Sequence, residues 1–283
     1  MEPPRRADDP RESDVAQAER LFALAERDGA VRLPDLLAVD LCALGVGGQV
    51  LVDGPVLATW AGLDADARAR LAVQALSGLA MRGLLDPPDE QAAGDTAETV
   101  SLRLRAPLSM ILAARTRPTL LAVCTVPGQQ QYAEPRLYGV GDAASPVRAL
   151  VCEQATRDRV EFGTGERVEL TDQQAVERAG ELNQVFRFAL FSPHRAGRVL
   201  AFWAAAPVAA PNGQDPGSPP PRVVEVYRNT EGTGLVRDRV QVQAGGGTMA
   251  VEVTRADGAR QAAAHQDQDG LAALLAGIVE VGG

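Results

Sequence analysis

The sequence contains no lysine: all 28 basic residues are arginine, and isoleucine occurs only at Ile111 and Ile278. This bias is typical of a GC-rich genome such as that of an actinobacterium. Without lysine the chain cannot build a Walker-type phosphate loop, whose Gly-Lys-Ser/Thr ending places a lysine on the phosphates. The formal net charge of −9 argues against a nucleic-acid-binding protein, which needs a basic surface to neutralise phosphates.

Residue types that build catalytic and metal centres are also scarce. The only histidines are His194 and His265, and no Gly-x-Ser-x-Gly motif accompanies them, so a nucleophile–histidine–acid triad is not indicated. The three cysteines, Cys42, Cys124 and Cys152, lie far apart, whereas structural zinc needs about four Cys or His ligands, usually in close pairs. We predict no catalytic residue, no metal site and no cofactor, and hence a protein that is not an enzyme.

Two further patterns have structural explanations that we favour over functional ones. Gly45-Val-Gly-Gly48 follows a predicted helix and precedes a strand, the reverse of the order in a dinucleotide-binding loop. Four glutamates alternate with arginines in the middle of the chain, and the polar side of a strand explains them better than a catalytic carboxylate pair does. These glutamates are Glu153, Glu161, Glu166 and Glu169.

Residues 13–104 form a predicted N-terminal helical subregion behind a disordered arm, residues 1–12, which has no apolar stretch typical of a secretory signal. Apolar periodicity predicts helices at Val15–Asp28, Leu33–Leu44 and Asp64–Arg82. The last helix, a polar loop and the strand Val100–Leu104 together resemble a winged-helix module. Its charges are mixed in sign, so we expect a docking unit rather than a DNA-reading helix.

The most informative pattern is an internal duplication, because Pro221–Val281 resembles Pro118–Leu182. Each copy opens with an apolar strand after a proline and continues through two more β-prone segments, which are Arg136–Gly141 and Val147–Gln154 in the first copy and Asp238–Gln243 and Thr248–Thr254 in the second. Each copy ends in a helix, Asp172–Leu182 in the first and Asp267–Val281 in the second. Two β-β-β-α halves predict an α/β (α+β) fold: a quasi-two-fold, mainly antiparallel central sheet flanked by helices. The first sheet half plus central helices occupies residues 105–206, a Pro/Gly-rich linker residues 207–221, and the second half residues 222–283.

Several segments together resemble the EspG family, the cytoplasmic chaperones of type VII secretion. They are the helix end Leu79–Asp86, the helix-to-strand passage Ala114–Gly128, the aromatic segment Leu182–Pro193 and the strand Val223–Tyr227. The similarity extends roughly from Leu63 to Val281 as an order of elements, with residues 207–221 as an apparent insertion.

The resemblance implies a quasi-two-fold chaperone that covers the apolar tip of the PPE protein in a PE–PPE heterodimer. It implies a cytoplasmic location, no cofactor, and neither a nucleic acid nor a membrane as partner. The alternative is a different protein–protein interaction or regulatory module that docks through its winged-helix-like part. In either case we expect the free protein to be a monomer or a homodimer.

One strand provides the candidate partner surface. If Val224 and Val226 face the core, strand alternation directs Val223, Glu225 and Tyr227 to the opposite face. A tyrosine flanked by charge suits a recognition surface, although an ordinary solvent-facing strand has the same pattern. We predict that these three residues contact the protein partner.

Overall fold

The computed structural model of the chain describes residues 10–45, 54–86, 102–127, 135–141, 147–156, 180–206, 220–230, 234–245 and 248–280. These residues form two compact units that alternate along the sequence. The first unit draws on residues 1–24, 32–116 and 156–188, and the second on residues 25–31, 117–155 and 189–283. Among the described helices, none is both long and apolar enough to cross a membrane.

The N-terminal part of the chain is mainly helical. Its elements are α1 (Pro10–Asp28), β1 (Ala30–Leu37), α2 (Ala38–Leu44), α3 (Gly54–Ala61), α4 (Ala65–Met81), β2 (Leu85–Asp86), β3 (Arg103–Leu104) and α5 (Ala106–Thr116). The N-cap of α4 is Asp64, whose carboxylate accepts from the backbone N–H of Ala67 at 2.7 Å. Strands β2 and β3 pair antiparallel, with Leu85 opposite Leu104, and we call this short pair of strands the wing.

One predicted helix in this region, Leu33–Leu44, is wrong in its first half. The chain is a strand up to Leu37 and turns helical only at Ala38. The Asp40 carboxylate accepts from the N–H of Leu37 at 3.0 Å, which caps the helix at that point. Leu33 and Leu36 are buried although they lie in a strand, with Pro34 between them. Their three-residue spacing also fits the buried face of a helix, so apolar periodicity alone does not distinguish the two structures.

The remaining strands are β4 (Leu120–Thr125), β5 (Arg136–Val140), β6 (Ala149–Thr156), β7 (Val185–Phe191), β8 (Arg222–Thr230), β9 (Gly234–Gly245), β10 (Thr248–Thr254) and β11 (Arg260–Gln266). With β1 they form a nine-stranded sheet in the order β1-β7-β6-β5-β4-β8-β9-β10-β11. Every neighbouring pair from β6 to β11 is antiparallel. Helix α6 (Ala196–Ala205) follows β7, and helix α7 (Gln268–Glu280) follows β11.

This order confirms the predicted quasi-two-fold α+β fold and adds a fourth strand to each half. The helix that closes the first half is α6, after the added strand β7, and not the predicted helix Asp172–Leu182. Strands β4 to β7 followed by α6 correspond to β8 to β11 followed by α7. The two halves meet at the β4–β8 pair, where Leu120 lies opposite Arg228 and Thr125 opposite Val223. Most of the predicted first closing helix, residues 172–179, and of the linker, residues 207–219, lies outside the described residues.

Helices α6 and α7 cover one face of the sheet and close the main core of the second unit. Val224, Val240 and Leu275 are among its fully buried side chains. The two helices cross closely at Gly197, where an added Cβ would overlap the carbonyl of Ala272 and lie 2.8 Å from the Cβ of Ala276. The helix-covered face is therefore closed by close packing.

Candidate functional site

The candidate surface lies on the sheet face of the second half that α6 and α7 do not cover. Val224 and Val226 on β8 are fully buried in the helix-covered core. Strand alternation therefore directs Glu225 and Tyr227 to the opposite face, where both are half-buried. On the neighbouring strand β9, Val240 and Val242 are buried, whereas Arg237 and the residues in phase with it are accessible.

The polar groups on this face are linked to one another. The hydroxyl of Tyr227 donates a hydrogen bond to Glu225 Oε2 at 2.8 Å. Arg237 Nη1 lies 3.4 Å from the other oxygen, Glu225 Oε1. The Glu225 side chain is 19% exposed and that of Arg237 57% exposed, so a partner would meet mainly the guanidinium and the tyrosine ring. Glu225 holds both in place.

The environment of Tyr227 keeps its hydroxyl protonated. Burial raises the pKa of the Tyr227 phenol above its ordinary value, and the hydrogen bond to Glu225 and the negative charge of that carboxylate raise it further. The guanidinium of Arg237 acts in the opposite direction without reversing the shift. At neutral pH Tyr227 is therefore a neutral hydrogen-bond donor with part of its ring exposed.

Val223, the third predicted contact residue, shares this face but is only 3% exposed. It lies opposite Thr125 on β4 and Gln241 on β9. Its side chain therefore packs beneath the accessible side chains and adds almost nothing to the area that a partner could touch.

Leu235 is the residue of this face that the sequence analysis missed. It is 71% exposed, pairs with Asn229 and stands two residues before Arg237, so it shares the face of Tyr227. Counting back in steps of two from the outward-facing side of β9 would have found it, but the predicted strand in this region began only at Asp238. We define Glu225, Tyr227, Leu235 and Arg237 as the β8–β9 surface.

The first half of the sheet carries a similar trio on the same face, but there the trio is buried. Glu153 is 2% exposed and accepts a hydrogen bond from the hydroxyl of Tyr138 at 3.1 Å. Arg136 Nη1 lies 3.3 Å from Glu153 Oε1. Tyr138 is only 2% exposed. The two halves therefore use a Tyr–Glu–Arg arrangement differently: it is enclosed in the first half and accessible in the second.

The other candidate chemical groups do not assemble into a site in the described part of the chain. Burial raises the pKa of the Cys42 thiol to about 11 and that of Cys152 to about 12, so neither is a reactive thiolate at neutral pH. His194 is exposed and lies 3.6 Å from the exposed Glu26.

No group of three or more metal-ligating side chains occurs among the described residues. Glu161, Glu166 and Glu169, residues 46–48 of the glycine-rich stretch and the His265 side chain lie outside them.

The winged-helix-like part offers a second accessible surface, on α4. Val73 is 64% exposed and Met81 84% exposed, and the small residues Ala69 and Ser77 occupy the same stripe at helical spacing. Even when Arg70 is included, this face of α4 carries little positive charge. It therefore lacks the basic character of a DNA-reading helix.

Ion pairs stabilise the wing that follows α4. Asp14 on α1 lies 2.8 Å from Arg103 and 3.2 Å from Arg105, and Asp86 lies 2.9 Å from Arg105. The first two pairs join α1 to β3 and to Arg105 just after it, and the third joins Arg105 to β2, all within the first unit.

The described residues thus define an α+β protein with a quasi-two-fold, mainly antiparallel sheet. In its second half, Leu235 and Arg237 are exposed on the face opposite to α6 and α7. No protein-family model matches the chain, and comparison with curated proteins and with solved structures finds no match.

Proposed function

We propose that this protein is a non-enzymatic chaperone or adaptor that binds a partner protein through the β8–β9 surface. The observation that carries the proposal is the exposed Leu235 beside the partly exposed, hydrogen-bonded Tyr227, on the sheet face opposite to α6 and α7. Tyrosine and arginine are enriched among residues that dominate binding energy, and aliphatic neighbours exclude water around them. Tyr227 and Arg237 are held by Glu225 before binding, which reduces the entropy that they lose in a complex.

The resemblance to the EspG family supports a particular partner class, a PE–PPE heterodimer of type VII secretion. In this proposal the ring of Tyr227 and the side chain of Leu235 cover apolar residues at the tip of the PPE helices. Arg237 and Glu225 form the polar rim. Binding takes place in the cytoplasm of an actinobacterium and keeps the secreted pair in solution. Neither a membrane nor a nucleic acid takes part.

The experiment that tests the proposal is co-expression with each PE–PPE pair encoded near the gene. Size-exclusion chromatography with light scattering should give a stoichiometric heterotrimer. Leu235→Asp should abolish co-elution, because it buries an unpaired charge in the contact. Phe202→Asp is the matched control: Phe202 is 64% exposed on α6, outside the β8–β9 surface, so co-elution should persist. Failure of the wild-type protein to co-elute with any pair would refute the PE–PPE proposal.

The second candidate function is an interaction or regulatory module that binds a different protein through α4. The exposed Val73 and Met81 favour it, because two large apolar side chains on one helical stripe form a surface that a partner helix can cover. The variant pair Val73→Glu and Met81→Glu separates the two candidates. Loss of partner binding in these variants, with full binding in Leu235→Asp, would favour α4 and exclude the β8–β9 surface.

A further inference from the structure

The two halves of the sheet differ in what lies beyond their outermost strands. The outermost strand of the first half is β7, and β1 lies beyond it. The outermost strand of the second half is β11, and among the described strands none follows it in the sheet. Among the described strands, none therefore occupies the position beyond β11 that corresponds to the position of β1 beyond β7. An open edge presents alternate N–H and C=O groups that can pair with another strand.

The side chains at the start of β11 do little to block such pairing. Arg260, Gln261 and Ala262 are exposed, which leaves both faces of the strand accessible at its start. The register with β10 is regular from Thr254–Arg260 to Val251–Ala263, and an irregularity follows before Gln266. Proteins commonly protect an edge with proline or several charges, and β11 has no proline and carries arginine only at Arg260.

The charges around β11 suit a second copy of the same strand. Antiparallel pairing of two β11 strands about a two-fold axis brings the first residue of one copy beside the last residue of the other. Arg260 of each copy then lies next to the start of α7 of the other copy, where Asp267 and Asp269 are exposed. Two-fold symmetry gives this favourable contact twice, and no like charges face each other along the strand.

We propose that two copies of the chain associate through the outer edges of their β11 strands and form a homodimer with one continuous sheet. The β8–β9 surface lies two strands away from this edge and stays accessible, so the inference does not depend on the proposed function. The dimer is held by main-chain hydrogen bonds along β11 and by attraction between Arg260 and the acidic start of α7.

Analytical ultracentrifugation of the full chain tests the proposal. We expect a concentration-dependent monomer–dimer equilibrium whose Kd rises with salt, because the charges are exposed. Arg260→Glu should raise the Kd at least about tenfold by turning attraction into repulsion. Arg198→Glu is the matched control: Arg198 is exposed on α6, and its substitution changes the net charge equally but should leave the Kd unchanged.

Asp267→Asn provides a second variant that preserves the fold. The Asp267 carboxylate accepts from the N–H of Gly270 at 2.8 Å, and asparagine caps a helix about as well as aspartate. The variant therefore removes the charge but keeps the cap, and its Kd should also rise.

Hydrogen exchange locates the contact. Amides of residues 260–266 should exchange more slowly at dimer concentrations than after dilution. A chain that stays monomeric at about 100 µM in low salt overturns the proposal. A dimer whose β11 amides gain no protection, or whose Kd does not respond to either substitution, overturns it as well.

Discussion

The hydroxyl of Tyr227 donates a 2.8 Å hydrogen bond to Glu225, two residues earlier on the same strand and on the same sheet face. The bond fixes the orientation of a partly exposed aromatic ring. It also satisfies a carboxylate that would otherwise need water or a partner group. The arrangement gives the β8–β9 surface a defined shape in the free protein.

This bond predicts a pH dependence of stability at alkaline pH. The pKa of Tyr227 is raised in the folded protein above its ordinary value of 10.0. Its contribution to stability is therefore complete below pH 10 and is lost as the pH rises through the folded-state pKa. Urea denaturation between pH 8 and about pH 11 should show stability falling more steeply in the wild type than in Tyr227→Phe. Equal slopes would contradict the assigned environment.

The two Tyr–Glu–Arg trios predict a difference between equivalent substitutions in the two halves. Glu153→Ala removes a buried carboxylate from Arg136 and Tyr138 and should cost about 3–5 kcal/mol of unfolding free energy. Glu225→Ala acts on a partly exposed group paired with an exposed arginine and should cost less than about 1 kcal/mol. Denaturant titration measures both, and similar losses would mean that the two trios are equally buried.

The close approach of α6 and α7 predicts a strong effect of one methyl group. Gly197→Ala places a Cβ against the Ala272 carbonyl and should destabilise the fold by about 1–3 kcal/mol. Gly277→Ala in α7 is the matched control, because an added Cβ meets no atom within 4 Å. It should be neutral or stabilise by up to about 1 kcal/mol through helix propensity. Thermal unfolding distinguishes the two, and an equal response would argue against the crossing at Gly197.

A buried ion pair lies where the end of α7 contacts strand β8, and it predicts a large effect of one substitution. Arg228, whose side chain is 11% exposed, donates to the carboxylate of Asp238 and to the carbonyl of Ile278. Asp238→Ala leaves this arginine without its buried counter-charge and should cost about 3–5 kcal/mol. Glu252→Gln, on the exposed side of β10, should change stability by less than about 0.5 kcal/mol. A small effect at Asp238 would show that Arg228 finds another acceptor.

The sequence predicted those helices and strands whose capping residues and apolar periodicity match the side chains that are buried in the fold. Asp64 marks the start of α4, and β10 has the predicted bounds Thr248–Thr254, because its alternate residues are buried in the core. Strand β11 was missed because its alanines and glutamines favour a helix in isolation. Its pairing with β10 outweighs that preference, and no local pattern reports such a pairing.

The candidate surface was predictable only in part for the same reason. Alternation along β8 gave the side of the sheet on which Glu225 and Tyr227 lie. It could not give the burial of Val223 or the approach of Arg237 and Leu235 from β9, which depend on the register between two strands.

The most direct test of the central claim is the affinity of the protein for a purified PE–PPE pair, measured by isothermal titration calorimetry. Tyr227→Ala and Glu225→Arg should each weaken binding at least about tenfold, a loss typical of interface anchor residues, with thermal unfolding near that of the wild type. Phe202→Ala, which removes an exposed aromatic ring from α6, should bind like the wild type. Unchanged affinity in both β8 variants would contradict the account and place the contact elsewhere.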